Sequence, residues 1–209
     1  MRNYNKNLKL LTKNHVYSKE MEHDACGVGA IVSTEGKKSR IIVEYGIDAL
    51  KAVWHRGAVD ADGKTGDGAG IHLEIPKDFF IEKIEVTGHD YDNSEICVGM
   101  IFLPRNDYSA QESCKTIVES ELTKNNFSIY GWRQVPVNPK ILGQKALQTM
   151  PEIMQVLFKS NDKDLLDKDL ERKIYETRKK IENKAFQLSL NNFYICSISS
   201  KSIIYKGLY

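Results

Sequence analysis

Cys26-Gly27-Val28-Gly29-Ala30-Ile31-Val32 is an apolar, glycine-spaced run that opens on a thiol. It follows a polar leader, residues 1–25, that ends Glu22-His23-Asp24-Ala25. A small residue before a nucleophile-type side chain points to cleavage between Ala25 and Cys26, which would make Cys26 an N-terminus. The freed α-amine, with a reference pKa of about 7.7–8.0, could then serve as general base for its own thiol, so one residue supplies nucleophile and base. A cysteine alone is more often a small hydrophobe opening a buried strand. Working outward, Gly27 and Gly29 leave backbone accessible around the sulfur. Downstream come His55-Arg56-Gly57 and a second glycine cluster, Thr65-Gly66-Asp67-Gly68-Ala69-Gly70. Two glycine-rich segments around a fixed cation have the character of a site.

Composition narrows the class. The 209 residues are 41% hydrophobic and 28% charged, with 30 basic and 28 acidic side chains, which fits one soluble domain with a substantial core. Removing the leader leaves the charges balanced, so there is no electrostatic footprint for nucleic acid. Cys26, Cys97, Cys114 and Cys196 form no Cys-x-x-Cys pair and no zinc-type spacing, which argues against a metal and for a reducing, cytoplasmic setting. The longest apolar stretch, Ile96 to Leu103, is far too short for a membrane span, and the leader lacks the apolar region of a secretory signal.

Local patterns predict a buried strand over 26–33 and a turn at 35–38. A helix capped by Ser39 runs to about Trp54, with Gly57 as a left-handed stop. A glycine- and aspartate-rich loop spans 57–70, a half-buried strand 70–75, and a short helix 77–83. A strand over 96–103 and a helix opening near Ser109 and running to about Lys124 follow. Next come a strand over 127–135, a helix from Pro139 through Met150, and a strand over 151–160. A long helix occupies the C-terminal half of 161–184, and two strands lie within 192–205. Strands grouped with helices, without regular β-α-β alternation, favour a layered α+β architecture.

Two rival motifs fail. Gly63-Lys64-Thr65 resembles the end of a phosphate-binding loop, but the opening glycine would fall at Ala58 and a strand follows where a helix should. Gly66, Gly68 and Gly70 lack the dinucleotide spacing. Without further context Arg56 would pair with helix carbonyls, Asp60 or Asp62. His55 is read as structural, and Asp67 equally as a site residue or an organiser of its own glycine turn.

Four segments together carry a family resemblance: Glu22-His23-Asp24-Ala25-Cys26-Gly27-Val28-Gly29, His55-Arg56-Gly57-Ala58-Val59-Asp60-Ala61-Asp62, Lys64-Thr65-Gly66-Asp67-Gly68-Ala69-Gly70 and Val135-Pro136-Val137-Asn138-Pro139. They resemble the class II glutamine amidotransferase (glutaminase) domain of the glutamate synthase large subunit. The likeness continues through Ile141 to Glu152 and Tyr194 to Ser200, in order along the chain. It implies a four-layer α-β-β-α sandwich of the N-terminal nucleophile hydrolase type, with residues 1–25 as propeptide and 26–209 as a partial amidotransferase domain, incomplete at its C-terminus. It implies Cys26 as catalytic nucleophile and Arg56 as a binder of the substrate L-glutamine, with Gly27, His55, Gly57, Asp67 and Gly68 as supporting loop residues.

The family's second half lies elsewhere. FMN and an iron–sulfur cluster are implied for the remainder of the large subunit, with no cofactor on this segment, and a small electron-donating subunit is an implied partner. The family's oxyanion donors come from an Asn-Gly element, yet no Asn-Gly dipeptide occurs in these 209 residues, nor an His-Ser-Arg-Phe type segment. The expectation is a chain truncated within its glutaminase domain and inactive alone. Two alternatives stay open: an N-terminal nucleophile acylase or peptidase, and a non-catalytic or regulatory module of the same fold.

Overall fold

Cys97–Leu103 is a strand buried on both faces. Cys97, Ile101 and Leu103 enter one core, and Val98 and Met100 the other. A strand covered twice needs apolar residues throughout, which is why this run is uninterrupted. The computed structural model describes residues 2–13, 27–53, 57–162 and 164–208.

The chain begins with helix α1 (Arg2–Lys13), then α2 (Arg40–Ala52), strand β1 (Gly68–Glu74) and α3 (Lys77–Val86). Next come β2 (Cys97–Leu103), α4 (Tyr108–Lys124), β3 (Phe127–Gln134), α5 (Gln144–Thr149) and β4 (Glu152–Ser160). The long α6 (Asp167–Gln187) leads to β5 (Tyr194–Ser199) and β6 (Ser202–Leu208). Two antiparallel sheets result. One has the order β3-β4-β2-β5, and the other pairs β1 with β6, with Ile71 opposite Tyr205. Gly99 of the central strand lies between Val156 of β4 and Ile198 of β5.

The first core lies between the four-stranded sheet and helices α4 and α6. From α4 it takes Cys114, Ile117, Val118 and Leu122; from α6 it takes Leu170, Ile174 and Ile181, a stripe at helical spacing. Phe127 and Phe158 meet edge to face at 5.3 Å within it. Glu121 is a buried carboxylate on α4, held by Lys184 of α6 and by Lys124.

The second core joins the other face of that sheet to the β1–β6 pair and to α3, through Leu157, Met100, Cys196, Ile203, Phe80 and Ile84. One polar group crosses it. The fully buried Gln155 carboxamide accepts from Arg133 Nη1 at 2.7 Å and donates to Tyr205 Oη at 3.1 Å, so its burial carries no orphaned atom. On the outer side of β1, Gly46 of α2 approaches Ile71, close enough that a side chain there would press on Ile71 Cδ1 at 3.3 Å.

Several expectations need correction. Of the strand expected over 26–33, Cys26 lies outside the described residues, and among the described residues 27–33 pair with no strand, with Val28 94% exposed. Helix α2 is capped by Ser39 as read, Oγ accepting from Ile41 N, but it closes at Val53, so Gly57 is not its stop. Helix α4 is capped by Asp107, whose carboxylate accepts from Ala110 N at 2.9 Å, because a charged oxygen two residues ahead of Ser109 reaches the open amides first. The helix expected over 139–150 is broken. A 3-10 turn at Pro139–Ile141 and α5 are separated by Leu142 and Gly143. Helix α6 fills more of the charged segment than expected, its first turn carrying Asp167 and Asp169 where the helix dipole favours anions.

Candidate active site

The segment after the candidate nucleophile lies against the segment before the candidate arginine. A side chain on Gly27 would place its first carbon 3.4 Å from Val53 Cβ, at ordinary van der Waals distance. Gly27 follows Cys26, and Val53 precedes Trp54-His55-Arg56. Ala25, Cys26, His55 and Arg56 themselves lie outside the described residues.

Past Arg56 the chain enters a tight hairpin. Val59 bridges Gly66, Asp60 N donates to Thr65 O at 2.8 Å, and Gly63 N donates to Asp60 O at 2.9 Å. The tip turns at Gly63, whose φ of +68° is a conformation that favours glycine. Asp62 organises that tip. Its carboxylate accepts from Thr65 Oγ1 at 2.5 Å, Thr65 N at 2.7 Å and Lys64 N at 3.0 Å. Those bonds favour the charged form and hold the carboxyl well below its usual range, the Thr65 hydroxyl contributing most. The amides a phosphate would need in a Gly-Lys-Thr loop are thus taken by a carboxylate.

Asp67 closes the base of the hairpin, Oδ2 accepting from Ala58 N at 2.8 Å. The partner lies nine residues back, across the loop, and not within Asp67's own glycine turn. Gly57 lies immediately before this closure, and Gly68 immediately after it opens β1, opposite Leu208. Two residues on, Gly70 runs so close to β6 that a side chain would stand 2.8 Å from Tyr205 O.

The hairpin is also fastened from outside. Lys145 of α5 donates to both oxygens of Asp60, at 2.8 and 2.7 Å, and Lys145 N reaches Asp62 Oδ2 at 3.5 Å. The ammonium lowers the Asp60 pKa, and Asp60 in turn raises that of Lys145. Asp60 and Asp62 therefore have partners other than Arg56, and sequence reading assigned no role to Lys145 or Gly143. The available signal was Asp62-Gly63, a turn pair with a carboxylate able to bind amides just ahead.

At its other end α5 lines an open cleft of about 640 Å³ together with Phe102, Pro104, Arg105, Tyr194 and Lys206. Lys206 is the register partner of Gly70, so this cleft opens near the start of β1. Cys97, Cys114 and Cys196 are buried, and burial pushes each thiol pKa up, that of Cys114 to about 11. That fits packing roles rather than nucleophiles. Among the described residues no group of three His, Cys, Asp or Glu side chains is placed to hold a metal ion.

The family described as glutamine amidotransferases class-II matches residues 26–209. The chain belongs to this family. Among glutamate synthases, this amidotransferase is 51% identical over 203 residues to the Azospirillum brasilense glutamate synthase [NADPH] large chain. It is 40% identical over 189 residues to ferredoxin-dependent glutamate synthase 1, chloroplastic/mitochondrial, of Arabidopsis thaliana, and 36% identical over 188 residues to ferredoxin-dependent glutamate synthase 2 of Synechocystis. These matches cover 97%, 90% and 90% of the amidotransferase chain but only 13%, 12% and 12% of the relatives. Among its described residues no helix is long and apolar enough to cross a membrane.

Proposed function

We propose that this chain carries the glutamine-hydrolysing site of a glutamate synthase, with Cys26 as nucleophile after removal of residues 1–25. The observation that supports the reading is the closeness of Gly27, next in sequence to Cys26, to Val53, three residues before Arg56: a single added carbon on Gly27 would reach Val53 at 3.4 Å. The family match also opens at Cys26.

In this mechanism the α-amine of Cys26 takes the thiol proton, and the sulfur attacks the side-chain amide carbon of glutamine. The tetrahedral intermediate collapses as the amine returns the proton to nitrogen. The C–N bond breaks, ammonia leaves, and a glutamyl thioester remains. Water, deprotonated by the same amine, attacks the thioester to give glutamate and the thiol. Arg56 presents a planar fork suited to the substrate carboxylate, and Gly27, His55, Gly57, Asp67 and Gly68 support the loops around it.

The same reading makes the two sheets and their covering helices part of a four-layer α-β-β-α sandwich. In the whole enzyme the ammonia passes to 2-oxoglutarate. FMN, an iron–sulfur cluster and a small electron-donating subunit or another electron donor serve that second reaction, and no step described here passes through them. A cytoplasmic location fits the reading. The absence of an Asn-Gly dipeptide favours a second reading for these 209 residues taken alone, a non-catalytic or regulatory module of the same fold.

The test is glutamate formation by the full-length enzyme, assayed with glutamine and with ammonia, alongside terminal sequencing. Cys26→Ser is expected to abolish the glutamine-dependent reaction and spare the ammonia-dependent one. An active enzyme retaining Met1 to Ala25 overturns the terminal-amine mechanism.

A further inference from the structure

The fastening of the hairpin at Asp60 and Asp62 joins two segments far apart in sequence. Lys145 reaches back 85 residues to hold both oxygens of Asp60. Gly143 lies so close beneath the tip that any side chain there would collide with Thr65 Oγ1 and Asp62 Oδ2 and stand 2.5 Å from Thr65 N. The hairpin base, through Asp67 and Ala58, is continuous with the residues that follow Arg56. These features form a latch whose fixed end is α5 and whose held end begins next to the candidate substrate-binding arginine.

We infer that Lys145 is a positioning residue for glutamine, acting through Asp60 and the 58–67 hairpin to hold the backbone after Arg56 in its binding geometry. The inference rests on the assignment of glutamine binding to Arg56. An exposed ion pair by itself contributes little to stability, and the side chains of Lys145 and Asp60 are 62% and 36% exposed. What gives the pair leverage is its place. It acts with the close-packed Gly143 and the hydrogen bonds of Asp62 on one short loop, so its loss moves that loop without unfolding the cores. Small displacements of binding groups are costly in turnover.

The experiment uses the full-length enzyme and measures kcat and KM for glutamine and for ammonia in Lys145→Ala, Lys145→Arg and Gly143→Ala. Lys145→Ala is expected to raise the glutamine KM by roughly three- to tenfold while leaving kinetics with ammonia unchanged. Lys145→Arg should recover most of the loss, because a guanidinium also spans two carboxylate oxygens. Gly143→Ala should raise the same KM by displacing the tip. Limited trypsin digestion gives a readout independent of activity: cleavage after Lys64 in the tip should accelerate in Lys145→Ala. High salt should raise the glutamine KM more in the wild type than in Lys145→Ala, since one of the pairs it screens is absent there.

An unchanged glutamine KM in Lys145→Ala overturns the inference, as does an equal loss with ammonia, which would mark a general folding defect. The underlying site reading fails separately, through a Cys26→Ser enzyme that still hydrolyses glutamine.

Discussion

Gly27 and Val53 stand about one methyl group apart: a Cβ on Gly27 would lie 3.4 Å from Val53 Cβ. The residue after the candidate nucleophile thus faces the residue that caps helix α2, three positions ahead of Arg56 in the sequence. The nearest Val53 carbons stand 3.4 to 3.5 Å from where a Cβ on Gly27 would be, which leaves room for one carbon and little more. A methyl group fits there at ordinary contact distance, whereas a branched side chain has to push Val53 away.

From this spacing, Gly27→Val is expected to cut glutamine-dependent turnover of the full-length enzyme by about tenfold or more, as small misplacements of reacting groups do. Gly27→Ala should be milder. Steady-state kinetics with glutamine and ammonia check both, and a Gly27→Val enzyme with wild-type glutamine kinetics would remove the contact from the site.

Gly99 offers a sharper steric test in the central strand. A Cβ there would lie 2.7 Å from Val156 Cγ1 on the neighbouring strand. Gly99→Ala should destabilise by about 1–3 kcal/mol, the usual cost of overpacking. Adding Val156→Ala removes the opposing methyl, so the double variant should be less destabilised than the two single changes added together. Urea denaturation of the four proteins reads the coupling.

Two phenylalanines bracket the packing argument. Phe158 is fully buried against Phe127, while Phe186 is 83% exposed at the end of α6. Phe158→Ala should cost about 3–5 kcal/mol and Phe186→Ala about 0.5 kcal/mol or less, by the same denaturation measurement.

Acid should weaken the α4–α6 packing through Glu121. Hydrogen bonds and charge from Lys184 lower its pKa below the ordinary 4.5. The unfolded chain therefore takes up that proton first as pH falls. The stabilising contribution is complete above the ordinary value and is lost as pH drops through the lowered one. Glu121→Gln should be less stable than wild type at neutral pH, and the gap should narrow below pH 4.5, as followed by thermal melts across pH.

How legible this was in the sequence depended on which contacts each element needed. β2 could be read because burial on two faces leaves an unbroken apolar run, whereas α6 was read only in the C-terminal half of its charged segment, although Leu170, Ile174 and Ile181 keep a helical period. The segment 27–33 has an equally strand-like pattern, yet a strand requires a hydrogen-bonding neighbour, and none lies beside it among the described residues. In the site, glycines were recognisable from turn chemistry. Lys145 was not, because a lysine on a short helix carries no local mark of a partner 85 positions away.

The placing of β2 at the heart of its sheet also governs how the chain is made. Its two neighbours are Glu152–Ser160 and Tyr194–Ser199, both well downstream. A ribosome therefore delivers the most apolar strand of the protein long before either partner exists, with both edges open to pairing. During synthesis this strand is the segment most exposed to wrong partners, and it is the natural point for a nascent-chain chaperone to protect.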